Sequence, residues 1–156
     1  DGHVRAGGFG LVSAADIAIG GAACTFALTE SCLGLAPAII SLTVLPRLSS
    51  RSASRYFLTG EKFGPEQAVE MGLLTAAADS GEGIDTVMSE VLDGIRKASP
   101  QGLAASKALT TESILAAFTA KAALRADESA ALFGTDEARE GMTAFLSRRK
   151  PAWDLT

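Results

Sequence analysis

The sequence predicts a mixed α/β fold with a helical C-terminal region. Two observations carry this. Short apolar runs separated by glycines fill the first third, and helix-period apolar stripes fill the second half. At 156 residues the chain fits one domain. Hydrophobic residues make up 47% of it and the mean hydropathy is +0.24, enough for a packed core.

Asp16–Gly20 and Cys24–Leu28 read as short strands, with Ile17, Ile19 and Phe26 buried. Between them and the opening residues, Gly7–Ala15 is small and apolar. It fits a short helix that starts at the glycines and is packed on most sides, so the winding is of the ββα or βαβ kind. Pro37 suits the first turn of a helix running to Leu42, and Pro46 limits that helix. Ser50–Leu58 reads as a helix closed by Gly60, and Pro65–Met71 as one closed by Gly72. Leu73–Ala78 is a plausible strand and Asp79–Gly83 a loop. Ile84, Val87, Met88, Val91, Leu92 and Ile95 form one continuous helical stripe. Ser99-Pro100 ends it, and alanine-rich Leu103–Phe133 makes one or two helices. Thr135 caps a last helix, Asp136–Arg149, with acids early and bases late. A helical tail so rich in apolar stripes packs either within the chain or on a neighbouring subunit.

The formal net charge of −4 and pI near 5.0 argue against a nucleic-acid binder. Cys24 and Cys32 read as two small buried apolar residues, not a disulfide framework. No signal-peptide pattern opens the chain, and its apolar runs are too short to span a bilayer, which makes a cytoplasmic setting the default. The chain begins Asp1-Gly2-His3-Val4-Arg5, without Met, which reads as the middle of a fold.

Chemistry concentrates in two places. Ala6-Gly7-Gly8-Phe9-Gly10 lets the backbone turn sharply. If a helix starts there, its unpaired N–H groups can hold an anion or a developing oxyanion; otherwise this is a tight packing turn. No Gly-Lys-Ser/Thr follows, so it is not a phosphate loop. Glu30 lies between apolar runs, so partial desolvation would raise its pKa and suit proton transfer, unless it is an exposed loop acid. His3 is the only histidine, which argues against a histidine triad or multi-histidine metal site; it reads as a strand residue with a satisfied ring. Asp16 opens a strand and is expected to bond nearby backbone. Arg148-Arg149-Lys150 either answer a helix dipole or anchor a phosphate. Arg47, Arg51 and Arg55, at four-residue spacing, suit a solvated helix face.

Taken in order, these pieces resemble the crotonase (enoyl-CoA hydratase/isomerase) superfamily. Gly2–Asp16, Phe26-Ala-Leu-Thr-Glu30-Ser-Cys-Leu-Gly34-Leu-Ala-Pro37, Leu58-Thr-Gly60-Glu61 with Ala68 and Gly72-Leu73, and Asp136–Trp153 resemble four successive signatures of its C-terminal half. The resemblance implies a crotonase-like ββα superhelix. Residues 1–80 would be the C-terminal part of its core and 81–156 a helical trimerisation region. It also implies a coenzyme A thioester as substrate, no cofactor or metal, and a homo-oligomer, trimer or hexamer, with no nucleic-acid or membrane partner.

Glu30 and the Gly7 N–H would then be catalytic, the one as acid/base and the other as one of two donors to the thioester oxygen. The second donor belongs to the family's N-terminal half. Because one such donor is worth on the order of 3–4 kcal/mol in the transition state, these residues alone are expected to be inactive. Gly8, Pro37, Ile39, Phe145 and Arg148 are the substrate-binding candidates. Pro37-Ala-Ile39-Ile40-Ser41 replaces the family's glycine-rich wall with a bulkier, more apolar one, which implies a different acyl group. Two-glutamate hydratases carry their first acid at the place of Gly10, which cannot transfer a proton. Isomerases and other single-acid members are therefore comparable readings. A catalytically silent acyl-CoA-binding or assembly subunit, or an inactive fragment, is the alternative.

Overall fold

The structure is a computed structural model and describes residues 2–156; Asp1 lies outside the described residues. The elements run β1 (His3–Arg5), α1 (Gly7–Ala14), β2 (Ile19–Gly21), β3 (Thr25–Ala27), a 3-10 turn (Glu30–Leu33), α2 (Ser41–Val44), α3 (Ser50–Thr59), α4 (Pro65–Glu70), β4 (Ala76–Ala78), α5 (Gly81–Arg96), α6 (Pro100–Phe133) and α7 (Asp136–Leu146). The strands form two short parallel pairs, β1 with β3 (His3 opposite Thr25) and β2 with β4 (Ile19 opposite Ala76). Parallel pairing demands crossovers, and the helices supply them. The mixed α/β reading with a helical tail therefore holds.

The core lies between these strands and α1–α4. Phe9, Phe26, Phe63 and Tyr56 form its aromatic centre, with Phe26 and Phe63 stacked at 5.4 Å and Phe9 edge-on to Phe26 at 5.9 Å. Val44, Leu48, Ala68, Met71, Leu73 and Leu74 close around them. Several ends follow the local chemistry. Ser49, Ser80, Ser99 and Thr135 each accept a bond from a backbone N–H in the first turn of the helix that follows. Gly60 ends α3 at φ 65° and Gly72 follows α4 at φ 92°, conformations that suit glycine.

The structure departs from the sequence reading in several places. The strands are shorter than predicted, and Ile17 is 36% exposed because β2 starts only at Ile19. Leu11 is 78% exposed, so α1 buries only one side, through Phe9 and Ser13. Pro37 precedes a turn, and the helix after it begins at Ser41. Gly81-Glu82-Gly83 are already helical, because Ser80 caps α5. Cys24 is buried, but Cys32 is exposed.

Asp16 bonds the Lys107 ammonium instead of backbone. Arg47 is not on the α3 face: its Nε and Nη2 donate to the Ser13 and Ala15 carbonyls, each at 3.0 Å, at the end of α1. Arg55 pairs with Glu61, and Arg51 stays exposed on α3. Leu103–Phe133 belongs to one 34-residue helix, and α7 stops at Leu146, so Arg148 and Arg149 lie beyond it.

No residue of α5 or α6 is buried. At about 1.5 Å per residue α6 runs roughly 50 Å, held to the body through α2, α7 and the Lys107–Asp16 pair. Among the described residues no helix is long and apolar enough to cross a membrane.

Candidate active site

The site begins with a backbone turn. Ala6, between β1 and α1, holds φ 46° and ψ −127°. A residue with a Cβ is held there at a cost of about 1–3 kcal/mol, and such strain clusters at functional sites. The turn brings the N-terminus of α1 to a cleft of about 460 Å³, where Ala6 and Gly7 form part of the wall. Gly7 has no neighbour within 4 Å of its Cβ position, so this end of the helix is open. The Phe9 N–H already donates to the Ala6 carbonyl at 3.0 Å, which leaves the Gly7 and Gly8 N–H groups, without intrahelical acceptors, to meet negative charge.

Glu30 enters the same cleft from the first residue of the 3-10 turn. That turn is pinned from both sides. Ser31 Oγ donates to the Leu58 carbonyl at 3.3 Å and Cys32 Sγ to the Thr59 carbonyl at 3.7 Å, at the end of α3. On the other side α7 packs onto the turn through Gly141. The Glu30 Oε2 atom is buried with no hydrogen-bond partner. Burial pushes the Glu30 carboxyl above its ordinary value, and a backbone hydrogen bond within the same residue opposes this only in part.

The remaining walls are apolar: Leu33, Leu35, Pro37, Ile39 and Ile40 from the segment after Glu30, and Phe133 and Met142 from α6 and α7. Among the described residues Glu30 is the one ionisable side chain on the lining, and Thr29 and Ser129 add hydroxyls. The structure thus brings together Glu30, Gly7, Pro37 and Ile39. Gly8 sits behind, half-buried against Val4. Phe145 and Arg148 lie outside the cleft. Phe145 is 70% exposed, and Arg148 is exposed just past α7 at φ 52°.

Sequence reasoning missed Ser129, Phe133 and Met142. Ser129 and Phe133 stand one helical turn apart on α6, a spacing that could have paired them but not told which body that face meets. His3 has the satisfied ring expected, with Nδ1 and Thr25 Oγ1 2.8 Å apart. Among the described residues no group of three or more His, Cys, Asp or Glu side chains is placed to hold a metal ion.

An orphaned, desolvated carboxylate beside the open N-terminus of a helix can move a proton next to an oxygen that gains charge. The fold and this cleft therefore define a class, a desolvated carboxylate in an apolar pocket on a mixed α/β frame. Comparison narrows it: residues 1–155 match the family model described as enoyl-CoA hydratase/isomerase, and the chain belongs to that family.

An enoyl-CoA hydratase from Mycobacterium avium is similar in structure, with a TM-score of 0.94 and 57% identity over 99% of this chain and 60% of that one. A carnitinyl-CoA hydratase from Mycobacterium avium superposes with a TM-score of 0.85 at 25% identity, over 99% of this chain and 60% of its own. An enoyl-CoA hydratase of Alternaria alternata is 36% identical over 110 residues, 70% of this chain and 37% of that protein. The chain thus spans about 60% of the solved structures and less of the Alternaria enzyme.

Proposed function

We propose that these residues belong to an acyl-CoA-processing enzyme of the hydratase/isomerase type, with Glu30 as its acid/base and the Gly7 N–H as one donor to the thioester oxygen. The observation that carries this reading is the buried, unpartnered Glu30 Oε2 in a cleft that Gly7 also lines. A carboxyl held above its ordinary pKa exchanges protons more readily near neutral pH. The thioester oxygen would lie at the N-terminus of α1, with the acyl chain along Pro37, Ile39 and Ile40. Coenzyme A is then part of the substrate, and no cofactor is needed.

Phe145 and Arg148 are too exposed to serve the cleft of their own chain. They suit contacts with the coenzyme A of a neighbouring subunit in a trimer or hexamer. Leu109, 74% exposed on α6, and Leu146, 80% exposed at the end of α7, are apolar surface that such neighbours would cover. These residues on their own are expected to be inactive, since the second oxyanion donor would come from elsewhere.

The test is Glu30→Gln in the full-length protein. Turnover of acyl-CoA substrates should fall by at least about 100-fold, the usual worth of a positioned acid/base, while coenzyme A esters still bind. Unchanged turnover would sink the reading. Gly10, which leaves Glu30 without a second carboxylate, favours one other reading, a silent acyl-CoA-binding or assembly subunit. That predicts thioester binding with no turnover, and Glu30-dependent turnover would exclude it.

A further inference from the structure

We infer that the chain holds a second binding site, for a small carboxylate with an apolar tail, in a cleft between the end of α1 and the N-terminal part of α6. The cleft measures about 390 Å³ and, among the described residues, shares no lining residue with the cleft of Glu30. Its size lies in the usual range for small-ligand sites, roughly 300–1,000 Å³. Nothing in it depends on the role of Glu30.

One wall is apolar. Ile114, Leu115 and Phe118 of α6 line the cleft, with Thr111 one turn before Leu115 and Ile114 one turn before Phe118. Leu115 is 61% exposed and Phe118 43%. These large apolar side chains meet water here, and a hydrocarbon tail would cover them favourably.

The polar end has a definite sign. Arg47 donates from Nε and Nη2 to the Ser13 and Ala15 carbonyls, which fixes its guanidinium and leaves Nη1 with no acceptor among the described residues. The next residue, Asp16, bonds the Lys107 ammonium. The two cations are thus tied to consecutive residues, Ala15 and Asp16. Two cations against one acid leave the lining with one positive charge. The Thr43 and Thr111 hydroxyls already donate to backbone carbonyls, Thr111 to Lys107 at 2.7 Å. The donors that remain are on Arg47 Nη1 and Lys107, and these suit a carboxylate. A neutral chain would leave that charge unanswered, and a cationic one would meet its own sign.

The ligand would lie between two elements that are loosely joined. No residue of α6 is buried, and the Lys107–Asp16 pair is part of what holds this helix to the body. An occupant that touches Arg47 on one side and Phe118 on the other braces α6 against the end of α1.

The experiment uses the full-length protein with octanoate as probe, and octanol and octyltrimethylammonium as neutral and cationic chains of the same length. Titration calorimetry should show one octanoate site per chain, at least about tenfold weaker binding of octanol, and no binding of octyltrimethylammonium. Lys107→Met should weaken octanoate by at least about tenfold and Phe118→Asp should abolish its binding. Phe133→Ala, in the Glu30 cleft, should leave it unchanged. In the native protein octanoate should slow amide exchange over residues 107–118, a readout that needs no variant to fold.

Failure of octanoate to bind overturns the inference, as does equal binding of the cationic chain. So does octanoate binding that survives either Lys107→Met or Phe118→Asp, or that is lost in Phe133→Ala, which would place the ligand in the Glu30 cleft. Unchanged exchange over residues 107–118 at saturating octanoate overturns it as well.

Discussion

Gly141 and Leu33 meet backbone to backbone: a Cβ on Gly141 would lie 2.4 Å from the Leu33 carbonyl oxygen and 2.5 Å from its carbonyl carbon. The contact is reciprocal one residue on, where a Cβ on Gly34 would lie 2.6 Å from the Glu137 carbonyl carbon. Through this pair of glycines α7 lies directly on the turn that carries Glu30. Gly141→Ala would gain up to about 1 kcal/mol of helix propensity, but the added methyl collides with backbone, which cannot rotate away as a side chain can. The collision should win, with a net loss of about 1–3 kcal/mol in denaturant unfolding and a lower kcat from a displaced Glu30. A variant more stable than the parent would show that α7 sits less tightly than this.

Arg47 and Arg51 share a four-residue spacing but not a role. Arg47 donates to the Ser13 and Ala15 carbonyls and so supplies acceptors at the end of α1 with a charged partner. Arg47→Ala should cost about 1–2 kcal/mol, two charge-assisted bonds partly replaced by water. Arg51→Ala, on an exposed stretch of α3, should change stability by less than about 0.5 kcal/mol. Equal effects in thermal unfolding would refute the distinction.

That contrast shows what the sequence could carry. Local signals were legible. Pro65, Gly60, Gly72, Ser99-Pro100 and Thr135 mark real helix ends because caps and turns depend on adjacent residues. The desolvation of Glu30 was legible because a carboxylate between apolar runs is expected to lose part of its water. Long-range choices were not. Arg47 reaches back 34 residues to Ser13, and Asp16 pairs with Lys107, 91 residues away. Ser129 and Phe133 line the cleft only because α6 returns to it. Nothing in the local spacing distinguishes these partners from solvent. Likewise the α5 stripe is read correctly as a helix, yet Met88, Leu92 and Ile95 remain exposed.

Glu140 fastens the end of the chain. Its carboxylate accepts from both terminal nitrogens of Arg149, at 2.6 and 2.7 Å, and from the Ala152 N–H at 3.0 Å. The Arg149 hydrogen bond is the main cause that holds the Glu140 carboxyl below its ordinary value. A lowered pKa stabilises the folded tail above the unfolded value of 4.5, and that contribution fades as pH falls through the folded value. Glu140→Gln should therefore speed hydrogen exchange at Ala152 at neutral pH, and the native protein should show the same loosening in acid. Exchange at Ala152 that ignores both changes would mean the tail is held by something else.

Glu30 should set activity against stability, with a pH signature that follows from its sign. Burial raises its carboxyl above the ordinary 4.5, so the folded protein prefers the protonated form. Between 4.5 and the raised folded value, the native state binds more protons than the unfolded state, and stability falls as pH rises through that window. Above it the whole cost of a buried, unpartnered charge is present. Glu30→Gln removes that charge at almost constant shape. Its Tm should exceed the parent's at neutral pH, and the difference should shrink as pH drops below about 4.5, where both side chains are neutral. A variant that unfolds earlier than the parent at neutral pH would mean the carboxylate is paid back by a contact that the amide cannot make, and the desolvated acid/base would lose its main physical support.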